Sequence, residues 1–390
     1  MVKKNLFIPY SKHFLDKNDF KNIIKTTKSN YISQGPKQQE FAKNLRKHTK
    51  SKYVTVLNSA TSALHTACVS LGLEKNDILW TVPITWPASA NCGLYCGAKV
   101  DFVDIDEETY NICTKKLQKK LLISKKKNRL PKILVVVHLA GNPCDLKKIK
   151  SLSKKYKFKI IEDASHAMGS FYFKMPIGNP KYSDAVVTSF GPLKSITSAE
   201  GGAIFTNNKK HFLFNEIFKQ SGIQKDENYF YFNNKNKWWN EQQVLGYNYK
   251  LSEIHASLGI SQLKKLKLFV KKRNYLSDIY EKKLSNKIRF QKKLNKNIIS
   301  ARHIFIIRVD KKLRSKLFNF LIKNNIGAMV NYIPIYKHPY YKKIVQVNLN
   351  QLIESENYYS EAISIPLYYG MNKKDHQKVI KVINKFFDQK

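Results

Sequence analysis

Four features of this sequence have residue types suited to carbonyl and amine chemistry. Lys194 closes the polar turn Ser189-Phe190-Gly191-Pro192-Leu193-Lys194, between the apolar runs Ala185 to Val187 and Ala203 to Phe205. A lysine on a rigid turn between buried strands is desolvated, which lowers its pKa and leaves a neutral amine able to form a Schiff base. In so lysine-rich a chain, a plain surface side chain is the competing reading. Asp163 and His166 lie in Glu162-Asp163-Ala164-Ser165-His166, directly after the apolar run that ends at Ile161. At Ser59-Ala60-Thr61 the apolar run Tyr53 to Leu57 gives way to a helical pattern through Ala67 and Leu71. Backbone N–H groups and the helix dipole point at an anion in such a place. Trp86 stands in the loop Pro83-Ile84-Thr85-Trp86-Pro87, which follows the apolar run Ile78 to Val82.

Pyridoxal phosphate (PLP) needs four such parts: a lysine, a carboxylate for its pyridine nitrogen, donors for its phosphate and an aromatic face on its ring. An ionised carboxylate beside the nitrogen raises that nitrogen's pKa and makes the ring an electron sink, the part that Asp163 suits. Each feature alone has a plainer reading. Asp163 could cap a helix, Trp86 could pack in the core, His166 could be a satisfied strand-end histidine, and Ser59 or Thr61 could be an ordinary N-cap. Their joint occurrence in workable order favours the cofactor.

The elements that must position these residues alternate. Strands are expected at Tyr53 to Leu57, Ile78 to Val82, Val100 to Val103, Ile133 to Val137 and Lys159 to Ile161, separated by helical stretches such as Ala88 to Cys96 and Leu146 to Tyr156. Each strand leaves polar residues at its C-terminal end, which predicts a largely parallel sheet with a ligand site along that edge. Ser252 starts one long expected helix to about Leu284. Beyond it come a strand over Ile304 to Val309, a helix over Lys311 to Lys323, strands over Ile326 to Tyr332 and Ala362 to Ile365, and a last amphipathic helix through Phe387.

The 390 residues, 43% hydrophobic, suffice for a large domain and a smaller second one, read as an N-terminal arm and large domain over 1–265 and a smaller domain over 266–390. The net charge of +42 raises nucleic acid as a partner, but the basic residues are scattered and no nucleic-acid-binding signature accompanies them. The charge therefore reads as a lysine bias. The five cysteines show no CxxC pairing; Cys92 and Cys96 fall one helical turn apart in an apolar segment, as packing residues do. No metal site is expected. The N-terminus is too short in apolar residues for a signal sequence and no stretch is apolar enough to span a bilayer, so the expected location is the cytoplasm.

The motifs Asn58-Ser59-Ala60-Thr61-Ser62-Ala63-Leu64, Ile161 to His166, Ser189 to Lys194, Ala199 to Ala203, Gly246 to Glu253 and Tyr332 to Tyr336 resemble the DegT/DnrJ/StrS family of nucleotide-sugar aminotransferases. Matches run in order from Phe7 to about Met371, nearly the whole chain. The resemblance implies an α/β, aspartate aminotransferase-like PLP-dependent transferase fold of type I. Its large domain would carry a mixed, mostly parallel sheet, beside a smaller C-terminal α/β domain. It also implies a homodimer with shared active sites. Lys194 would be the catalytic, cofactor-binding lysine and proton carrier, Asp163 would pair the pyridine nitrogen with His166 beside it, and Trp86 would stack on the ring. Ala60, Thr61 and Ser189 would hold the phosphate, joined by Asn248 of the other subunit. Tyr10, Asn30, Tyr31, Ile32 and Ser33, with Asn331, Tyr332, Ile333 and Pro334, would touch the substrate.

Within the family the chain is most similar to the branch of pseudaminic acid biosynthesis, which aminates C4 of UDP-2-acetamido-2,6-dideoxy-beta-L-arabino-hex-4-ulose from glutamate. Two departures stand out. Gly191 replaces a common histidine, and Lys250 replaces a usual arginine, losing its planar fork. Lysine at 194 argues against the dehydratase branch, where histidine stands. The rival readings are the same fold acting on another nucleotide-linked 3- or 4-keto sugar, and a non-catalytic, polyanion-binding member of the fold.

Overall fold

Short β-branched runs build the centre of the molecule. In the computed structural model, which describes residues 7–234 and 236–389, seven strands form one sheet: β1 (Tyr53–Leu57), β2 (Ile78–Thr81), β3 (Lys99–Phe102), β4 (Ile133–Val137), β5 (Lys159–Asp163), β6 (Ala185–Ser189) and β7 (Gly202–Thr206). The start of the expected N-terminal arm, Met1 to Leu6, lies outside the described residues. The strand order is β1-β7-β6-β5-β4-β2-β3. The pairs from β6 to β3 are parallel, whereas β7 runs antiparallel to both β6 and β1. Two reversals restore direction, so β1 points the same way as β6. Its C-terminal end therefore opens on the same edge as those of β2, β4, β5 and β6.

Both faces of this sheet are covered. Leu79, Ile133, Val135, Ile161, Val187 and Ile204 pack on one side with Leu64 of the helix Ala60–Ser70 and Cys92 of the helix Ala88–Tyr95. Their sequence neighbours Trp80, Leu134, Val136, Ile160, Val186 and Phe205 pack on the other. That is the period-2 alternation of a strand, and burial on both faces explains why β4 reads as the unbroken apolar run Ile-Leu-Val-Val-Val.

A second apolar cluster surrounds the antiparallel sheet Arg289–Phe290, Phe305–Arg308 and Ala362–Ile365, covered by the helices Lys311–Lys323 and Lys373–Asp388. The N-terminal arm docks here: Ile8 N–H donates to Asn325 O at 2.9 Å and Gly327 N–H donates to Ile8 O at 2.7 Å. Asp104, just past β3, ties this part to the main sheet. Its carboxylate accepts from the backbone N–H groups of Glu354 and Ser355, in the first turn of the helix Ile353–Glu361, at 3.0 and 2.9 Å.

Three expectations need correction. The helix that Ser252 caps does not run unbroken to Leu284; it is two helices, Glu253–Leu263 and Leu266–Lys283, broken at Lys264 and Lys265. Lys265 turns to pair with Asp16 at 2.9 Å and with Asp19, and the second helix then feeds Leu266 and Phe269 into one cluster and Leu276 and Tyr280 into the other. Among the described residues the segment 326–332 makes only the single bridges Ile8–Ile326 and Met329–Ser364 rather than a strand, and the arm crosses it closely: a side chain on Gly327 would meet Tyr10 N at 2.7 Å. Finally, the strand expected to end at Ile161 runs on through Glu162 to Asp163, which also sets aside the competing reading of Asp163 as a helix cap.

Candidate active site

The polar ends of the parallel strands converge, as the crossover topology requires. Asp163 is buried. Its Oδ2 accepts from Ser89 Oγ at 2.6 Å, Ser89 Oγ lies 2.9 Å from Thr85 Oγ1, and Oδ1 accepts from Ser165 N–H at 3.1 Å. This chain of hydroxyls fixes the direction of the carboxylate. Thr85 comes from the loop after β2, which also carries Trp86, and Ser89 from the first turn of the helix Ala88–Tyr95.

Lys194 follows β6 in a turn pinned at its base by Phe190 N–H donating to Gly201 O and Ser198 N–H donating to Phe190 O, both at 2.8 Å. Burial lowers its pKa to about 8, against the opposing pull of Asp163. At neutral pH a measurable fraction of this amine is therefore neutral, the form that attacks a carbonyl. We expect the rate at which cofactor-free protein takes up PLP to rise with pH and to level off above about 8 rather than above 10. A profile that still climbs past pH 10 would show that Lys194 behaves as an ordinary lysine.

His166 is buried between two partners. Ala140 N–H donates to its Nδ1 at 3.3 Å, and its Nε2 lies 3.0 Å from the Tyr332 hydroxyl. Burial, with Lys194 nearby, pushes its pKa well below the usual range. The ring is thus neutral, carries its proton on Nε2 and donates to Tyr332. The His303 ring packs against it at 4.3 Å.

The cradle lies where β1 meets the helix Ala60–Ser70. Ser59 Oγ accepts from Ser62 N–H and Ser62 Oγ accepts from Ser59 N–H, a reciprocal capping box. That leaves the N–H groups of Ala60 and Thr61, which have no partner within a helix. A Cβ on Gly202 would collide with Ser59 O and fall 2.6 Å from Ala60 N, so glycine lets β7 approach the cradle. Both contacts are backbone and cannot swing away. Gly202→Ala should destabilise the protein by about 1–3 kcal/mol and loosen PLP, read from a thermal melt and a PLP titration; wild-type values in both would mean that the cradle tolerates the shift.

The remaining expected residues divide. Tyr332 meets His166 and stands 6.2 Å from Trp86, ring to ring. Trp86 is 63% exposed, which overturns core packing and leaves its face free. Asn331 and Pro334 are buried and Ile333 is exposed; burial raises the pKa of Tyr10, which faces the Asn331 side chain. Ser189 Oγ accepts from Gly191 N–H at 3.3 Å. Gly191 has room for a side chain, its nearest neighbours to a Cβ being Ser189 Oγ and Lys194 Cγ at 3.6 and 3.9 Å. By contrast, Asn30, Tyr31, Ile32 and Ser33 are exposed and meet none of these groups. Asn248 is exposed too, its side chain accepting from Lys250 Nζ at 2.6 Å. Ser89, Thr85 and His303 carried no sequence signal beyond one hydroxyl residue near the start of a small-residue helix and one histidine before a strand.

The residues present fit PLP. A cradle with two open N–H groups, kept clear by Gly202, a carboxylate fixed by two donors, an exposed indole and a low-pKa lysine meet at one sheet edge.

Known proteins bear on the same site. The profile described as the DegT/DnrJ/EryC1/StrS aminotransferase family matches residues 14–384. The chain is 35% identical over 373 residues, 94% of each chain, to the UDP-4-amino-4,6-dideoxy-N-acetyl-beta-L-altrosamine transaminase of Campylobacter jejuni serotype O:2. Helicobacter pylori PseC, an aminotransferase involved in the biosynthesis of pseudaminic acid, superposes with a TM-score of 0.88 at 29% identity, covering 98% of this chain and 100% of its own. The PLP form of the sugar aminotransferase Spr1654 of Streptococcus pneumoniae shares the fold, with a TM-score of 0.88 at 23% identity over 98% of this chain and 99% of its own.

Proposed function

Because the chain belongs to the DegT/DnrJ/EryC1/StrS aminotransferase family and is thereby a PLP-dependent sugar aminotransferase, we propose that it moves an amino group from glutamate to C4 of a UDP-linked 4-keto-6-deoxy-N-acetylhexosamine. The sugar would be UDP-2-acetamido-2,6-dideoxy-beta-L-arabino-hex-4-ulose, as a step of pseudaminic acid biosynthesis. The observation that carries this reading is the pairing of a low-pKa Lys194 with a fixed Asp163 on one edge, in a chain whose relatives by sequence and by structure bear names from that chemistry.

Bound PLP supplies an electron sink for the carbon that gains or loses a proton. Ala60 and Thr61 N–H groups, with Ser189, would hold its phosphate, Asp163 would keep its ring nitrogen protonated, and Trp86 would cover a face. Lys194 then takes a proton from the α-carbon of glutamate and delivers one at C4 of the sugar. Neutral His166 holds the Tyr332 hydroxyl in place at the substrate side.

The second subunit belongs to the same proposal. Asn30 to Ser33 and Asn248 are exposed, as residues offered to a partner's site would be; sedimentation at micromolar concentration should give a dimer. Among the described residues no helix is long and apolar enough to cross a membrane; a cytoplasmic location is part of the proposal.

The deciding experiment follows the visible absorbance of the PLP-loaded protein. Glutamate should bleach it and the UDP-4-keto sugar should restore it. Restoration by a GDP- or dTDP-linked sugar instead would move the enzyme to another substrate of the same family.

A further inference from the structure

Cys92 and Cys96, which the sequence offered only as packing residues, gain a third thiol in the fold. Cys68 sits on the helix Ala60–Ser70, facing the helix Ala88–Tyr95 that carries Cys92 and ends at Cys96. Cys68 and Cys92 are buried in one apolar cluster, and Cys96 packs against that cluster while staying partly exposed. The Cys68 thiol meets those of both Cys92 and Cys96, and the Cys96 sulfur meets Cys68 and His65. Cys92 is engaged elsewhere, its thiol donating to Ser89 O at 3.4 Å, while the Cys96 thiol donates to Cys92 O at 3.3 Å.

His65 is buried and held in one orientation. Its Nδ1 lies 3.1 Å from the Tyr249 hydroxyl, and the rings of Tyr95, Phe218, Tyr247 and Tyr249 stand edge-on to it at 5.2–6.0 Å. A hydroxyl donating to Nδ1 leaves the ring proton on Nε2, the nitrogen that remains for Cys96. A base oriented by a third group beside a thiol is the arrangement that activates a nucleophile. Hydrogen bonds from Cys68 and from His65 bring the Cys96 pKa down to about 6 against burial, so at neutral pH its thiolate predominates. Burial instead pushes Cys68 well above the usual thiol range, and it keeps its proton.

We propose that Cys96 is a peroxide-reactive thiol with Cys68 as its resolving partner, a redox modification site separate from the PLP site. The Cys96 thiolate attacks one oxygen of hydrogen peroxide and the O–O bond breaks, giving a sulfenic acid and a hydroxide that takes up a proton as water. The Cys68 sulfur then attacks the sulfenic sulfur, an S–S bond forms, and the displaced hydroxide leaves with the Cys68 proton as a second water. Two thiols have lost two electrons and the peroxide has gained them. Partial exposure makes Cys96 the sulfur that a small oxidant reaches, whereas Cys68 is fully buried and acts second. The new bond ties the helix whose first turn forms the phosphate cradle to the helix whose first turn carries Ser89.

The test reads thiols and needs no turnover, so it stands apart from the proposed function. Treatment of the full chain with an equivalent of hydrogen peroxide at pH 7 should give a Cys68–Cys96 disulfide in peptide mass spectrometry, reversed by dithiothreitol. Before oxidation, iodoacetamide should label Cys96 about 10-fold faster than Cys113, the other partly exposed cysteine. His65→Leu, apolar within the ring of aromatics, should bring the Cys96 rate down to that of Cys113. Cys68→Ala should stop the reaction at a Cys96 sulfenic acid that dimedone traps; if that variant does not fold, the disulfide map of the wild type decides. Labelling of Cys96 no faster than of Cys113, or a peroxide product without the Cys68–Cys96 bond, overturns the proposal. A disulfide through Cys92 overturns the role of Cys68.

Discussion

Lys194→Met should lower turnover by roughly 10⁴-fold and at the same time make the cofactor-free protein more stable. The first effect follows from the lysine's two tasks, which methionine can perform in neither half-reaction. The second follows from its environment. Burial brings its pKa from 10.5 to about 8, so the native state binds fewer protons than the unfolded chain between those values. Its ammonium therefore costs stability in full below pH 8, and the cost fades as pH rises towards 10.5. Below pH 8 it amounts to about 3 kcal/mol, and methionine fills the same space without a charge. Melts of wild type and variant should lie furthest apart at pH 7 and draw together by pH 10. A variant less stable than wild type at both pH values would mean that the amine makes favourable contacts that outweigh its desolvation. Residual turnover near the wild-type rate would remove Lys194 from the chemistry altogether.

Asp163→Asn is expected to be nearly as damaging to activity, by about 10²- to 10³-fold, for a different reason. Asparagine keeps the shape and can still accept from Ser89, so the fold should hold, but it cannot supply the charge that keeps a pyridine nitrogen protonated. PLP should still bind through its phosphate at Ala60 and Thr61, with a shifted visible spectrum. The companion variant Ser89→Ala separates charge from orientation. It leaves the carboxylate and removes the 2.6 Å hydrogen bond, a loss of about 1.5–3 kcal/mol for a bond to a charged acceptor. An intermediate fall in rate with an unshifted spectrum is the expected result. Equal activity in Ser89→Ala and wild type would show that Ser165 N–H alone suffices to aim the carboxylate.

Much of the chemistry was legible in one dimension because it is local. The Lys194 turn, the helix start at Ser59 and the apolar runs that end in polar residues are properties of contiguous residues, where periodicity, capping and turn chemistry act over a few positions. β4 and the strand Ala362–Ile365 have the same limits in sequence and in structure for the same reason. The strand expected over 326–332 did not form, since a short local run does not say whether a neighbouring strand is free to pair. The break at Lys265 was equally hidden: helical spacing continues through it, and the carboxylates that meet Lys265 there, Asp16 and Asp19, are distant in sequence.

What the sequence determined by itself, then, is the set of reactive groups and the strands and turns that carry them. The tertiary structure decided which groups meet. Ser89 reaches Asp163 across 74 positions, Tyr332 reaches His166 across 166, and Tyr249 reaches His65 across 184. No local pattern encodes such pairs, because their cost and benefit depend on burial. A hydroxyl, a histidine or a thiol acquires such a partner only when the packed core has excluded water around it.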